Sequence, residues 1–295
     1  LTSITAFGQT GPKAHYKSCD LIHWASGAEM YCSGDPDRPP VRVTFPQSFL
    51  HASCEGAVGS MIAHYYRQTT GEGQHVDIST QEAVIETLMD AQEMWDLNKF
   101  VYKRGGAAWV ISGRGIRQRF GLRCKDGYVA CWTLGGGQLA SVEHLKRLVK
   151  WMAEEGKAPQ WLQEFDWVHQ YDSAHLTQEL VDRVEKLIED FLMQRTKKEL
   201  WDQASKRRLI MAPMATAKDI WESDQLHARG FFEKVEHPEL GESLTHCGPF
   251  VKLGETPVQT RRRAPLIGEH NREILEGLLG IPRDEVAIMK QAGII

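Results

Sequence analysis

Apolar positions recur at helical spacing along much of the chain. Val84, Leu88, Met89 and Trp95 share one side of a wheel drawn from Thr80 to about Lys99, which predicts one long amphipathic helix. Leu180, Val184, Leu187, Ile188 and Phe191 predict another over about 176–194. Further helices are expected at about 140–154, 197–205, 270–279 and 283–292. A helix from about Pro46 to Gln68 ends at the glycine-rich TTGEG, and a short one over Asp20–Met30 has Ser18 or Asp20 placed to cap it. Strand signals lie between these. LTSITAF runs into GQTGP, HVDIS alternates, LRCKDGYVACW reads as a hairpin around Asp-Gly, and FFEKVEHP and SLTHCGPFVKL follow in the tail. Strands alternating with helices predict an α/β fold.

The composition narrows the class. The chain has 295 residues, 42% apolar and 25% charged, enough for one large or two medium domains. A net charge of −4 gives no support for a nucleic-acid partner, and the one basic run, Arg261-Arg262-Arg263, reads as a solvated turn. Six cysteines at 19, 32, 54, 124, 131 and 247 show no C-x-x-C pair, so no metal site is expected and a reduced, cytoplasmic protein is. No apolar run approaches the roughly 18 residues a membrane helix needs. The chain opens at Leu1 inside a strand-like stretch, which we read as the remnant of a longer protein truncated at its N-terminus.

Residues 43–79 carry Ser48, His51, Ser53, Cys54 and Glu55 close together. Ala52, Gly56, Gly59 or Ser60, and Ala63 form a small-residue stripe at helical spacing, and this predicts a helix packed closely on a neighbour. His51 and Glu55, four residues apart, read as a surface pair. Gly8-Gln9-Thr10-Gly11 follows a strand and offers backbone N–H groups to a carbonyl oxygen, or forms a plain turn. Ser112-Gly113-Arg114-Gly115 lies in a glycine- and arginine-rich stretch that reads as a linker or active-site loop. Arg114, Arg117 and Arg119 have the fork that grips carboxylate or phosphate, or line a solvated loop. Gly135-Gly136-Gly137 reads as a connector before a helix.

ITAFGQTGP with YKSCDLIHWASG, TTGEGQHVDIS, and HARGFFEKVEHPELGE with RRAPLIGEHNREIL stand in an order and spacing that resemble the class III CoA-transferases, the CaiB/BaiF family. The resemblance covers essentially the whole chain. It implies a split Rossmann-like large domain with an inserted smaller α+β domain, in two chains that interlock as a dimer. On that pattern, residues 1–100 belong to the large domain with its first strands missing. A linker spans 101–120, the small domain 121–225, and 226–295 return to the large domain. It implies no permanently bound cofactor, with coenzyme A or acyl-CoA as substrate beside a carboxylic acid. Thr5, Phe7, Gly8, Gln9, Gly113, Arg114 and Gly115 are then the candidate CoA contacts. Glu269 and His270 fall in the tail motif and are expected to be structural.

In the family an aspartate attacks the donor thioester, and a mixed anhydride and an enzyme-bound CoA adduct follow. That aspartate lies ten residues before a helix glycine. Counting back from Gly59 lands on Phe49, and no Asp or Glu occurs between Asp37 and Glu55. Phenylalanine cannot attack, so the resemblance implies a non-nucleophilic subunit beside a homologous partner that carries the aspartate, as in succinyl-CoA:benzylsuccinate CoA-transferases. Phe49, Phe45 and Trp24 would then suit an aromatic acyl group. The alternatives are a nucleophile relocated to Glu55 or Cys54, or an acyl-CoA-binding protein without chemistry. Racemisation, also found in the family, is a poorer fit. It needs a His where Cys19 stands and an Asp where Phe49 stands.

Overall fold

The computed structural model describes residues 1–110, 115–135, 138–172 and 174–295. The chain divides into two compact units, Leu1–Met214 and Ala215–Ile295.

The first unit begins with β1 (Thr2–Thr5), α1 (Asp20–Ser26), α2 (Glu29–Cys32), α3 (Ser48–Thr70) and β2 (Val76–Ser79). β1 and β2 pair in parallel with Thr2 opposite Val76 and Thr5 opposite Ser79. A parallel pair needs a crossover, and the helices between the strands supply it. The small-residue stripe sets how closely α3 lies on the strands. Ala52 is fully buried, a Cβ on Gly56 would come within 2.9 Å of Ile4 Cδ1, and one on Gly59 within 2.8 Å of Val76 Cγ1. Ser60 and Thr2 hydroxyls meet at 2.6 Å across the same contact. The helix stops at Gly71, whose φ of 81° closes the last turn onto the Arg67 carbonyl as only glycine does cheaply.

Two predicted helices are broken. The one expected over Asp20–Met30 divides into α1 and α2 at Gly27, with Ala28 left-handed at φ 69°. The long helix from Thr80 becomes α4 (Thr80–Ile85), a tight turn over Glu86–Leu88, and α5 (Ala91–Asn98), with Met89 at φ 57°. The apolar stripe misled here. Val84 is buried, but Met89 is 86% and Trp95 53% exposed, so no packing holds the helix past Ile85. The Thr87 hydroxyl has the Val84 carbonyl at 2.6 Å and Glu29 Oε1 at 2.9 Å as alternative acceptors for its one proton, which offers the backbone a competing partner at the break.

β3 (Ala108–Val110) pairs antiparallel with β4 (Arg117–Arg119). β5 (Gly121–Cys124), β6 (Gly127–Cys131) and β7 (Met211–Pro213) form an antiparallel sheet in the order β5-β6-β7, with the predicted Asp-Gly hairpin joining the first two. The core lies between this sheet and α6 (Leu139–Glu154), α7 (Gln160–Gln163), α8 (Gln178–Leu192) and α9 (Lys197–Arg207). Leu122, Val129, Leu145, Leu148, Met152, Ile188 and Leu200 are fully buried there. Each such side chain contributes about 1.5–3 kcal/mol by leaving water. The stripe on α8 behaves as its periodicity predicts, with Val184, Ile188 and Phe191 inside. Arg119 reaches from β4 to Glu185 at 2.8 Å and Glu189 at 3.2 Å, and so ties the strand to α8.

The second unit holds α10 (Ala217–Trp221), α11 (Asp224–Ala228), the hairpin β8 (Phe232–His237) with β9 (Glu242–Cys247), a π-helix at Arg272–Leu278 where an α-helix is predicted, and α12 (Arg283–Gln291). Arg263 bridges Glu239 and Glu269, fastening the tail motif to the hairpin turn. The Arg263 hydrogen bonds, then the Leu266 amide, hold the Glu269 carboxyl at about 2. Among the described residues no helix is long and apolar enough to cross a membrane.

Candidate functional site

The first turn of α3 meets α1 and the loop after β1. Gln47 and Ser48 open α3, and their N–H groups have no partner within the helix. Asp20, buried at the start of α1, fills that role from outside. Its Oδ1 accepts Gln47 N at 2.9 Å, Ser48 N at 3.0 Å, the Ser48 hydroxyl at 2.9 Å and Trp24 Nε1 at 3.1 Å, while Oδ2 faces Arg42 Nη1 at 3.4 Å. This corrects the assignment of Asp20 as a cap of its own helix, which Cys19 precedes without a side-chain cap bond. Burial pushes the Asp20 carboxyl upward, but the hydrogen bonds from Ser48, Gln47 and Trp24 outweigh it and hold it below 3.8. Asp20 is therefore an ionised carboxylate whose Oδ1 is already engaged by four donors, with Oδ2 facing Arg42.

Phe49 follows on the same turn. It is half exposed and stands edge-on to His23, ring centroids 5.2 Å apart at 88°. Phe7, in the loop after β1, stands edge-on to the same imidazole at 6.3 Å and to Tyr16 at 6.3 Å. The structure thus brings Phe7 and Phe49 to one buried histidine that the motif spacing does not single out. His23 itself lies between two hydroxyls, with Nε2 2.6 Å from Ser18 Oγ and Nδ1 3.1 Å from Ser48 Oγ. Burial lowers its pKa below 6.5 against the opposing charge of Asp20, so it is neutral near pH 7.

The other candidates fall out unevenly. Gly8 takes φ 82° in the turn, and the Gln9 amide donates to Asp77 Oδ2 at 2.9 Å, which removes it from the donors open to a ligand. Thr5 accepts the Thr80 hydroxyl on its carbonyl at 2.9 Å, while its own buried Oγ1 has no hydrogen-bond partner among the described residues. Gly115 has φ 68°, and a Cβ there would meet nothing within 4 Å among the described residues; Ser112, Gly113, Arg114, Gly136 and Gly137 lie outside them. Arg119 is committed to Glu185 and Glu189, and Arg117 Nη2 to the Gly105 carbonyl at 2.7 Å. Cys54 and Glu55 are exposed on α3, beyond the turn that meets His23. His51 packs edge-on to Trp24 at 5.9 Å, and among the described residues no hydrogen bond joins it to Glu55. Trp24 is only 3% exposed and bonded to Asp20, so it belongs to the scaffold and does not line a substrate site. Phe45, by contrast, is 72% exposed.

Among the described residues, the first turn of α3 presents the apolar edge of Phe49 and meets no carboxylate other than the engaged Asp20. The sequence matches CoA-transferase family III over residues 1–271. It is 31% identical over 297 aligned positions to the succinyl-CoA:(R)-benzylsuccinate CoA-transferase subunit BbsE of Thauera aromatica, covering 100% of this chain and 69% of that protein. It is 28% identical to a formyl-CoA:oxalate CoA-transferase of Streptomyces coelicolor, covering 99% of this chain and 70% of that one. The fold matches a CaiB/BaiF family protein from Brucella suis with a TM-score of 0.67 at 21% identity, over 94% of this chain and 67% of the other. The chain belongs to CoA-transferase family III.

Proposed function

We propose that this chain serves as the non-nucleophilic subunit of a hetero-oligomeric CoA-transferase, paired with a homologous subunit that supplies the attacking carboxylate. The observation that carries the reading is Phe49 on the first turn of α3, beside His23, with the carboxylate that meets this turn, Asp20, buried and engaged by α3. An anhydride-forming mechanism needs an ionised, unengaged carboxylate aimed at the thioester carbonyl. The benzylsuccinate relative bears the word subunit in its name, which supports a division of labour between two family chains.

On this reading the substrates are an acyl-CoA and a carboxylic acid, with Thr5, Phe7, Gly8, Gln9, Gly113, Arg114 and Gly115 on the CoA side. Phe7, Tyr16 and Phe49 give that side an aromatic edge suited to an apolar acyl group. The split Rossmann-like large domain, the inserted 121–225 domain and an interlocked pair of chains complete the proposed architecture. Expression of the full-length protein with and without its homologous partner tests it. Co-purification, and transfer of CoA from succinyl-CoA to an aromatic acid only by the mixture, is the expected result. Transfer by this protein alone at the rate of the mixture overturns the reading.

A further inference from the structure

Four side chains around the start of α1 and α3 form a hydrogen-bond chain whose direction is fixed by chemistry. Asp20 is acceptor-only, so the Ser48 hydroxyl, 2.9 Å from Oδ1, must donate its single proton there. Ser48 Oγ then has only lone pairs left for His23 Nδ1 at 3.1 Å, and Nδ1 must carry the hydrogen. A neutral imidazole with Nδ1–H has a bare Nε2, so the Ser18 hydroxyl, 2.6 Å away, donates to it. The polarity runs Ser18 O–H to His23 Nε2, His23 Nδ1–H to Ser48 Oγ, and Ser48 O–H to Asp20.

That is the logic of an activated nucleophile. A hydroxyl donates to a base, and the base is held in one tautomer by a further group that ends on a carboxylate. Ser18 is partly exposed, whereas Ser48, His23 and Asp20 are buried. Only Ser18 is thus open to a reactant, and the other three are shielded from bulk water. The burial that depresses the His23 pKa keeps the imidazole unprotonated and able to accept. Phe7 and Phe49 flank the same ring and supply the apolar surface an acyl chain needs.

We infer that Ser18 is a nucleophile, with His23 as its general base and Ser48 and Asp20 as positioning residues, and that it takes the acyl group from an acyl-CoA thioester and passes it to water. Ser18 Oγ forms a bond to the thioester carbon as its proton moves to His23 Nε2. The C–S bond breaks, and the CoA sulfur leaves with the proton returned by His23. Water then attacks the Ser18 ester and gives its proton to His23, and Ser18 Oγ leaves and regains it. The net products are free acid and CoA thiol. The inference draws on membership of a family that handles acyl-CoA and does not depend on the subunit reading. Hydrolysis releases CoA thiol, whereas CoA transfer makes a new acyl-CoA.

A fluorophosphonate probe, which phosphonylates activated serines and needs no CoA site, tests the nucleophile in the full-length protein. The expected result is a labelled Ser18 peptide by mass spectrometry. Labelling is lost in Ser18→Ala and slowed at least about 100-fold in His23→Gln, with both variants folded by circular dichroism. Labelling in wild type rises with pH through one ionisation below 6.5, the ordinary histidine value. Ser48→Ala slows it, and Ser48→Thr, which keeps the hydroxyl, restores it. Phenylacetyl-CoA as substrate should release CoA thiol in wild type and not in Ser18→Ala. Absence of label on Ser18 in folded wild type, or label undiminished in His23→Gln, overturns the inference.

Discussion

Asp20 caps a helix 28 residues away, accepting both the Ser48 backbone N–H at 3.0 Å and the Ser48 hydroxyl at 2.9 Å. Asp20→Ala leaves buried donors of Gln47, Ser48 and Trp24 unpaired, so a loss of about 3 kcal/mol or more is expected. Asp20→Asn keeps an acceptor and should lose less. The folded carboxyl lies below 3.8, so its stabilisation is fully present above that value and is lost as pH falls through the folded value. Urea unfolding of wild type and Asp20→Ala at pH 7 and pH 3 checks this. The difference between the two proteins should narrow at the lower pH.

Arg119→Ala should strand Glu185, whose side chain is 3% exposed. We expect a loss of about 3 kcal/mol, the low end for a broken buried pair, because the Arg119 side chain is 37% exposed and partly screened. Burial raises the Glu185 pKa above 4.5 and Arg119 opposes the rise, so removing Arg119 lifts it further. A carboxyl raised in the folded state binds its proton more tightly there, and its relative contribution declines as pH rises through the folded value. The deficit of Arg119→Ala is therefore larger at pH 7 than at pH 4.5, and chemical denaturation at both values measures it.

Gly27→Ala should destabilise the α1–α4 contact. A Cβ there would stand 2.5 Å from Cγ1 and 2.9 Å from Cβ of Val84, a buried β-branched residue with little freedom to move. The backbone at Gly27 has φ −90°, so crowding alone sets the effect, about 1–3 kcal/mol. A thermal melt of Gly27→Ala against Gly71→Ala separates crowding from backbone strain. A Cβ on Gly71 would meet nothing within 4 Å among the described residues, but the backbone there has φ 81°.

The fold was legible where periodicity and burial coincide. The stripe on α8, the Asp-Gly hairpin and the small-residue face of α3 all follow from residue spacing. The Thr80 helix did not, because Met89 and Trp95 hold helical spacing without a surface to bury them and Leu88 is only half-buried. In the site, the expectation that Phe49 stands at the family's aspartate position comes from counting along the chain. His23 was hidden because its partners Ser18 and Ser48 are 5 and 25 residues away, and neither separation matches a catalytic motif. Asp20 was misassigned for a similar reason. Proximity in sequence favours its own helix, while the orphan amides it serves lie beyond a proline-rich loop.

The subunit reading is tested most directly by mapping the covalent intermediate. During turnover with succinyl-CoA and an acceptor acid, the two-subunit enzyme is quenched with hydroxylamine, which converts an activated aspartyl or glutamyl carboxyl into a protein hydroxamate and leaves an acyl-serine as free serine. The hydroxamate should map to the homologous partner alone, with the peptide of this chain spanning Gln47–Met61 unmodified. A hydroxamate at Glu55, or at Asp20, in this chain would contradict the account.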